Sequence, residues 1–309
     1  MRGKMILTGG SGMVGRNIRE HARAAQWDIL APRRAELDLM DGDAVRDYIA
    51  RQRPDIIVHA AGRVGGIHAN TAHPVAFLDE NLMMGRNVIM GAQACGVTRL
   101  LNLASTCMYP RAAPGPLTED MILTAELEPT NEGYALAKIM ATRLCQYLRR
   151  EDPRLQYKTL IPCNLYGPHD TFDPARSHLV PAIIHKVHTA LETGQDSVEI
   201  WGDGTVRREF MYAPDLADAV LRAAADIDTL PDLMNIGLGH DHTINDYYRT
   251  VAEVVGWQGR FTHDLDRPVG MKQKLSSVDR QTAWGWRAPT SLREGIARTY
   301  QFYLERAAT

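Results

Sequence analysis

The segment MILTGGSGMVG (Met5–Gly15) carries the first informative motif of the chain. A short apolar run leads into three glycines at intervals of three residues, and a helix-like segment follows. Glycines allow a tight strand-to-helix turn and let the backbone approach a pyrophosphate, which then binds the free N–H groups of the helix. The motif predicts a dinucleotide site, although a plain tight turn would explain the glycines alone. The candidate cofactor contacts in this loop are Gly9, Ser11, Gly12, Met13, Val14 and Gly15.

Strands and helices alternate through the first half of the chain. Short apolar runs predict strands at Met5–Thr8, Asp28–Ala31, Ile56–His59, Arg99–Ala104 and Lys158–Pro162. Helical periodicity is present at Met13–Ala25, Asp41–Gln52, Pro74–Cys95 and Glu132–Arg149. This alternation predicts an α/β fold of the Rossmann type, which is a doubly wound parallel sheet with right-handed crossovers.

The second half departs from this alternation. After NLYGPHD (Asn164–Asp170) comes a segment rich in His, Pro and Arg, followed by WGDGTVRREF (Trp201–Phe210) and a helix-like Pro214–Asp226. We interpret this part as a smaller α/β cap that binds the substrate. The expected division is a cofactor-binding domain at residues 1–165 and 207–235, and a substrate-binding domain at residues 166–206 and 236–309.

The composition excludes several classes of protein. The 309 residues are 45% hydrophobic and 23% charged with a net charge of −2, so no basic excess points to nucleic acid or to an acidic membrane surface. No apolar run reaches the length of a membrane span. The four cysteines lack the spacing of a zinc site. We therefore predict no metal site, and reduced thiols in a cytoplasmic protein.

The residues after the second predicted strand indicate which dinucleotide binds. An NAD site usually has a carboxylate about 20 residues further on for the ribose 2′-hydroxyl, whereas Arg33 and Arg34 occupy that region in this chain. A guanidinium pairs with a 2′-phosphate, which a carboxylate would repel. Asp38 could reach the adenine or cap the next helix. The pattern favours NADP(H), with a solvated basic turn as the alternative.

A tyrosine and a lysine lie one helical turn apart. Tyr134 and Lys138, in NEGYALAKI, share one face of a predicted helix. Free tyrosine has a pKa near ~10, and a neighbouring ammonium group lowers it by favouring the phenolate. The spacing is therefore suited to proton delivery, although an exposed helix face would explain YxxxK by itself.

The segment LASTCMYP (Leu103–Pro110) places Ser105 and Cys107 just after the fourth predicted strand. Ligands of open α/β sheets bind beyond the carboxyl ends of the strands, so both side chains should face the substrate. Buried cysteine usually acts as a small apolar residue, and this interpretation suits the other three cysteines. Cys107 differs from them because it lies two residues from Ser105.

Together these motifs resemble the extended short-chain dehydrogenase/reductase family. The similarity includes TGGSGMVG, AGRVGGIHAN, DENLMMGRNVI, EPTNEGYALAKI, NLYGPHDTF and SHLVPAIIHK, spread over most of the chain. It is strongest to the branch that epimerises GDP-4-keto-6-deoxymannose and then reduces it with NADPH. The resemblance implies an NADP-dependent oxidoreductase with epimerase activity and, with the two long predicted helices, a homodimer.

The resemblance also implies roles for five residues. Ser105 would hydrogen-bond the substrate carbonyl, Tyr134 would donate the proton, and Lys138 would hold the ribose and lower the tyrosine pKa. Cys107 and His178 would form the acid–base pair that inverts carbons three and five, whose hydrogens are acidic beside a 4-keto group. A thiol pKa near ~8.5 and an imidazole pKa near ~6.5 suit proton exchange at neutral pH.

The substrate end is implied in the same way, with Asn164, Lys186, Trp201, Arg208 and Lys274 as the binding residues. Asn164 would also bind the cofactor, near its nicotinamide. Cations would hold the diphosphate, and the indole would pack against the nucleotide or the sugar. Lys274 belongs to the basic loop RPVGMKQK, for which a solvated loop is an equal alternative. The family often has an arginine at the position of Ser11, so a 2′-phosphate would depend on Ser11, Arg33 and Arg34.

Several alternatives remain open on the sequence. Enzymes that make GDP-colitose or act on a GDP-heptose would need the same catalytic set and differ in pocket shape. A nucleotide-sugar dehydratase would be expected to have an Asp-Glu pair where Cys107 and Met108 stand, and a simple 4-epimerase has no use for Cys107 with His178. An NADPH-sensing protein would bind the cofactor without chemistry.

Overall fold

The computed structural model describes residues 1–173, 177–266 and 272–307, so residues 267–271 of the predicted basic loop lie outside the described residues. The strands are β1 (Lys4–Thr8), β2 (Asp28–Leu30), β3 (Ile56–His59), β4 (Arg99–Leu103), β5 (Gln156–Pro162), β6 (Asn164–Tyr166), β7 (Ser197–Trp201), β8 (Arg207–Arg208), β9 (Phe210–Tyr212), β10 (Leu233–Ile236), β11 (His242–Thr243), β12 (Arg260–Asp264) and β13 (Gln273–Lys274). The helices are α1 (Met13–Glu20), α2 (Gly42–Gln52), α3 (Ile67–Ala72), α4 (Pro74–Ala94), α5 (Glu132–Glu151), α6 (Leu179–Glu192), α7 (Ala213–Ala225), α8 (Ile244–Val255), α9 (Asp279–Ala283) and α10 (Leu292–Ala307).

The central sheet has six strands in the order β10-β5-β4-β3-β1-β2, and every neighbouring pair is parallel. The chain leaves β1 towards β2 on one side and returns to β3 on the other. The carboxyl ends of β1 and β3 therefore border the crevice where ligands of such sheets bind. The predicted Rossmann-type α/β fold is confirmed.

Both faces of this sheet are covered by helices. Successive side chains of a strand point to opposite faces. Accordingly, Met5 and Leu7 pack in one apolar cluster with α1 and α7, whereas Ile6 packs in another with α2, α4 and α5. All four residues of β3 are buried. Burial on two faces explains why the parallel strands are continuous apolar runs rather than alternating ones.

A second, smaller α/β layer is built from the later elements. Helices α6, α8 and α10 share an apolar cluster with β7, including Val180, Ile184, Tyr247, Val251 and Ile296. Strand β7 pairs with β12 in parallel, and β8 lies between β11 and β13. The smaller α/β layer was predicted in outline, but α3, α6, α9 and α10 were not predicted as helices.

One predicted helix is shorter than expected. The segment Met13–Ala25 was predicted as one helix, but α1 ends at Glu20, and His21 has an extended backbone with φ −70° and ψ 141°. A 3-10 turn, Ala22–Gln26, follows, and the backbone N–H of Arg23 donates to His21 Nδ1 at 3.3 Å. The His21 side chain thus caps a new turn after α1 has ended. The hydrophobic periodicity of the sequence does not reveal such a local side-chain contact.

Local capping explains other boundaries. Asp41 Oδ1 accepts the backbone N–H groups of Asp43 and Ala44 at 3.1 and 3.0 Å, which fixes the start of α2. Thr243 and Asp246 form a capping box at the start of α8. That helix ends at Gly256, whose φ of +83° favours glycine.

The cysteines are all free thiols, with Cys145 and Cys163 buried and the other two half-buried. Cys95 donates its thiol to Arg46 O at 3.4 Å. Across the described residues, no helix has both the length and the apolar character needed to cross a bilayer. No group of three His, Cys, Asp or Glu side chains in the same residues is placed to hold a metal ion.

Candidate active site

The glycine loop after β1 has the shape of a phosphate cradle. Gly9 has φ +73°, and a Cβ there would lie 2.7 Å from the backbone of Ala61. A Cβ at Gly15 would lie 2.2 Å from Gly9 O, so the turn closes only with glycine at both positions. Gly12 begins α1 without any side-chain cap on the helix N–H groups. These N–H groups fit the pyrophosphate of a dinucleotide.

Two arginines, Arg33 and Arg34, lie in the segment that follows β2. Arg34 Nη2 lies 3.7 Å from Asp38 Oδ2, and Arg33 Nε lies 3.5 Å from Glu36 Oε2. Both arginine side chains are more than three-quarters exposed, so these ion pairs are weak and can be exchanged for a phosphate. The groups present fit a 2′-phosphate.

Two further arginines of α1 border the same loop and were missed by the sequence analysis. Arg16 Nε donates to Ser11 O at 3.1 Å, and Arg19 Nη1 donates to Gly10 O at 3.3 Å. Their spacing of three residues on the helix that follows the glycines was the available signal. They bring additional positive charge to the cradle that lacks the family's usual arginine.

The predicted reductase residues come together at the carboxyl end of β4. Ser105 follows this strand, and its Oγ accepts the backbone N–H of Cys107 at 3.3 Å. Tyr134 hydrogen-bonds with Ser105 from the first turn of α5. Lys138 Nζ donates to Leu103 O at 3.1 Å and lies 5.8 Å from the Tyr134 ring centroid. Four residues from two segments thus form one polar cluster over the sheet.

Burial controls the proton affinities in this cluster. It raises the pKa of Tyr134 well above the usual value, the charge of Cys107 raises it further, and the hydrogen bond with Ser105 opposes this only in part. Burial lowers the pKa of Lys138 to about 8. The lowering of the tyrosine pKa that the resemblance implied does not occur in the protein alone, because burial and the Cys107 charge outweigh the hydrogen bond with Ser105.

Cys107 has a partner that the sequence analysis missed. Asn131 Nδ2 donates to Cys107 Sγ at 3.3 Å. Asn131 directly precedes α5 but makes no side-chain cap to it, and its buried Oδ1 has no hydrogen-bond partner in the described segments. The contact fixes the position of the Cys107 sulfur relative to the start of α5. Asn is a common helix cap, so the sequence around NEGY gave no signal of this contact.

His178 lies at the start of α6, and its side chain is 44% exposed. Its Nδ1 is 4.0 Å from Oδ1 of the buried Asp170. Asp170 was not predicted to have a role in the site, although it lies in the conspicuous NLYGPHD motif. Its carboxylate is the charged group placed beside the imidazole.

Further polar contacts lie on the side of the site next to Lys138. Asn81 on α4 accepts the N–H of Arg63 at 2.9 Å, and a Cβ at Gly62 would lie 3.0 Å from Asn81 Oδ1 and 3.5 Å from Lys138 Nζ. The AGRVGG loop is therefore held against the lysine. His59, at the end of β3, is 2.8 Å from Thr8 Oγ1. Burial and the charge of Lys138 lower the pKa of His59 to about 3, so the imidazole ring is neutral.

The predicted substrate-binding residues occupy two places. Arg208 and Lys274 are direct neighbours on the paired strands β8 and β13. Asn164 lies close to this pair, because its Nδ2 donates to the backbone oxygen of Glu209, the residue after Arg208, at 3.1 Å. Lys186 on α6 instead donates its ammonium group to the backbone oxygen of Glu199 on β7.

Trp201 ends β7, two residues beyond the partner of Lys186. Its side chain is 55% exposed. An exposed indole at a strand end offers an apolar surface to a ring. The predicted substrate-binding residues thus form two groups. Arg208 and Lys274 lie near Asn164, and Lys186 and Trp201 lie on the smaller α/β layer.

Comparison with known proteins identifies the family. Residues 5–237 match the sequence profile of the NAD dependent epimerase/dehydratase family. The chain belongs to this epimerase/dehydratase family. The resemblance to the extended short-chain dehydrogenase/reductases is thereby confirmed, and the matched region includes the glycine loop, Ser105, Tyr134 and Lys138.

Two relatives are similar over almost their whole length. The GDP-L-fucose synthase of Azorhizobium caulinodans is 51% identical over 301 residues, covering 97% of this chain and 96% of the relative. The GDP-L-colitose synthase of Yersinia pseudotuberculosis is 49% identical over 301 residues, covering 97% of this chain and 98% of the relative. Within the epimerase/dehydratase family, the chain is thus similar to enzymes named for GDP-sugars.

A solved structure agrees with this placement. The GDP-mannoheptose C4 reductase MlghC of Campylobacter jejuni, with NADP bound, superposes with a TM-score of 0.88 at 28% identity. The superposition covers 97% of this chain and 98% of the reductase. Similarity to an epimerase/dehydratase relative that holds NADP agrees with the arginine-bordered cradle of this chain.

Proposed function

We propose that this protein is a GDP-L-fucose synthase, an NADP-dependent oxidoreductase that epimerises GDP-4-keto-6-deoxy-D-mannose at carbons three and five and reduces carbon four. The observation that carries this proposal is the position of Cys107 inside the Ser105–Tyr134–Lys138 cluster. A plain reductase needs no thiol there. The 51% identical relative bears the same name.

Epimerisation would use Cys107 and His178 as acid and base. A proton must leave carbon three or five on one face of the sugar and return on the other. The Asn131 amide holds the sulfur in a fixed position, from which Cys107 would accept or return the proton. Ser105 and Tyr134 donate hydrogen bonds to the 4-keto oxygen, where negative charge develops after the carbon proton leaves.

Reduction would use the same carbonyl. The glycine loop would hold NADPH, which would supply the hydride for carbon four when bound. Tyr134 donates its proton to the carbonyl oxygen, and its raised pKa keeps that proton available at neutral pH. Lys138, charged below a pKa of about 8, would hold the ribose and favour the resulting phenolate.

The GDP moiety would be held away from this chemistry. Arg208 and Lys274 form a pair of cations on adjacent strands that suits a diphosphate. Lys186 and Trp201 would bind from the second layer. Asn164, held by the backbone of Glu209, would align the sugar near the nicotinamide end of the cofactor.

The test is NADPH consumption with GDP-4-keto-6-deoxymannose in deuterated water, with the product examined by NMR. Oxidation of NADPH with deuterium at carbons three and five and inverted stereochemistry would support the dual activity. Oxidation without exchange would leave a plain reductase and make Cys107 a structural residue. No oxidation with any GDP-keto sugar would reject the proposal.

The Yersinia relative supports one competing function, the synthesis of GDP-L-colitose. Colitose lacks the carbon-three hydroxyl, so this carbon has no configuration to invert. The same assay with GDP-4-keto-3,6-dideoxymannose as a competing substrate separates the two. A higher kcat/KM for the dideoxy sugar would replace fucose by colitose and leave the site assignments intact.

We further propose that the protein is a homodimer joined through the outer faces of α4 and α5. These two helices pack together, and Val75, Leu136 and Tyr147 expose apolar side chains on them. Sedimentation of the wild type against Leu136→Glu tests this. A monomeric wild type would reject the proposal, and a dimer dissociated by the glutamate would support it.

Two expectations from the sequence stay proposals. The division at residues 1–165 with 207–235, against 166–206 with 236–309, is supported by the separate apolar cluster of α6, α8 and α10. The cytoplasm is the proposed compartment, because the chemistry needs Cys107 as a free thiol. Limited proteolysis and cell fractionation, respectively, test them.

A further inference from the structure

Asp170 is a buried carboxylate that the reaction described above does not use. It is only 5% exposed. Its Oδ1 accepts the backbone N–H of Thr171 at 2.8 Å. Its Oδ2 is fully buried and lacks a hydrogen-bond partner within the described parts of the chain. An unpaired buried carboxylate oxygen is costly unless a nearby positive group compensates.

Within the described residues, the neighbouring group able to carry positive charge is His178. The two side chains approach to 4.0 Å between Nδ1 and Oδ1. The other histidine of this segment, His169, is already paired, because its Nε2 lies 2.7 Å from Glu20 Oε2. Burial raises the pKa of Asp170, and the charge of His178 acts in the opposite direction.

The backbone of this segment fixes Asp170 in place. Gly167 and His169 both have positive φ, at 149° and 68°, and Asp170 N–H donates to Gly167 O at 3.3 Å. The turn directs the carboxylate inwards. The side chain of His178 is 44% exposed, which leaves it space to rotate. The fixed member of the pair is therefore the carboxylate.

We propose that Asp170 is the positioning residue of His178, accepting its Nδ1–H and leaving Nε2 to exchange a proton with the sugar. This rests on the acid–base role proposed above for His178. A carboxylate on Nδ1 sets the tautomer and stabilises the imidazolium form. The 4.0 Å separation exceeds a hydrogen bond, and rotation of the half-exposed imidazole can close it before substrate binds.

The competing explanation is that Asp170 only shapes the turn by accepting the Thr171 N–H. Asn at this position can still accept that N–H through its amide oxygen, but it has no negative charge. Asp170→Asn therefore separates the two explanations. Asp173→Asn, at an exposed position three residues on, is the matched control.

The experiment is NMR titration of histidine-labelled protein without substrate, with the His178 signal assigned by its loss in His178→Gln. We expect Asp170→Asn to lower the His178 pKa by about one unit and to change its tautomer. Deuterium exchange into the GDP-keto sugar should slow by about tenfold or more, while NADPH affinity stays unchanged. The Asp173 control should match the wild type in all three.

An unchanged His178 pKa and tautomer in Asp170→Asn would overturn the proposal, even if exchange were lost. Loss of NADPH affinity together with exchange would indicate a misfolded variant, and the pKa in Asp170→Ser would then decide. If none of the GDP-keto sugars tested took up deuterium with the wild-type enzyme, the proposed function would be rejected. The pairing of Asp170 with His178 would still be decided by the titration.

Discussion

The hydroxyl of Tyr134 is buried beside Ser105, and its raised pKa keeps the proton in place. Removal of that hydroxyl in Tyr134→Phe should reduce NADPH oxidation by about a hundredfold or more, because no other acid contacts the carbonyl oxygen in the proposed mechanism. Solvent deuterium exchange should survive in part. Both rates can be measured in one assay by absorbance and NMR.

Cys107→Ser is the reciprocal control for this prediction. It keeps the backbone N–H that Ser105 accepts and removes the thiol. Exchange at carbons three and five should then fail, and no inverted product should form. If both variants lost both activities equally, the division of labour between Tyr134 and Cys107 would be wrong.

The buried ammonium of Lys138 predicts a pH dependence. Its pKa is depressed to about 8, so the group is charged below that pH and neutral above it. Because reduction uses the charged form, kcat/KM for NADPH oxidation should fall about tenfold per pH unit above about 8. Tyr134, with its raised pKa, stays protonated in this range. Lys138→Arg should shift this limb to higher pH, and an unshifted limb would exclude Lys138 as its origin.

Beyond β2, the segment with Arg33 and Arg34 is predicted to set the preference among cofactors. Among the described residues, the Arg34 side chain has only a 3.7 Å ion pair to Asp38, so it is available to a 2′-phosphate. Arg34→Ala should raise the Kd of NADPH by about tenfold, the value of one charge-assisted hydrogen bond. The Kd of NADH should stay the same. Equal weakening of both cofactors would contradict the 2′-phosphate assignment.

The junction of β1 and α1 depends on close backbone contact. In Gly15→Ala the new Cβ would lie 2.2 Å from Gly9 O and 2.5 Å from Gly10 Cα, so the turn must open. We expect a loss of about 1–3 kcal/mol in the free energy of unfolding, together with loss of NADPH binding. Denaturant unfolding and a binding titration measure the two.

Gly12→Ala is the matched control at the same junction. Its Cβ would meet only Gly9 O, at an ordinary 3.5 Å, so stability should be retained. NADPH binding should still weaken, because the methyl group would occupy the phosphate cradle. Equal destabilisation of both variants would mean that the two glycines do not differ as the geometry indicates.

In the assembled molecule, Glu209 joins segments that are distant in sequence. Its Oε1 accepts the N–H groups of Leu238 and Gly239 at 2.6 and 3.1 Å, and its Oε2 accepts that of Ser276 at 2.9 Å. These contacts hold the turn after β10 and the segment after β13 against the strand of Arg208. The carboxylate is 1% exposed.

Glu209→Gln replaces one acceptor oxygen by an amide NH2 that faces backbone donors. We expect a loss of about 1–3 kcal/mol in the free energy of unfolding. The KM for the GDP-sugar should rise more than that for NADPH, since Arg208 and Lys274 lie on the tethered strands. Glu253→Gln, which breaks an exposed pair with Arg293, is the control and should cost little. Equal melting temperatures for the Glu209 variant and wild type would contradict this role.

Much of the site followed from short stretches of sequence. The glycine loop, the Tyr134–Lys138 spacing and the position of Ser105 after a strand depend on the geometry of one element or one turn, and such geometry is repeated wherever the pattern occurs. The alternation of strands and helices determined the parallel sheet for the same reason. The early end of α1 was missed because a side-chain cap at His21, not periodicity, decides it.

The sequence by itself therefore determined the Rossmann-type sheet, the glycine loop and the set of candidate reacting groups. Only the tertiary structure decided which residues lie against these groups: Asn131 on the sulfur of Cys107, Asp170 beside His178, and Glu209 behind Arg208. The tertiary structure also decided the direction of the Tyr134 pKa shift: burial raises this pKa, whereas the resemblance implied a lowered one. Hydrogen bonds between segments, and the desolvation that comes with packing, depend on how distant elements meet, and no local pattern encodes that.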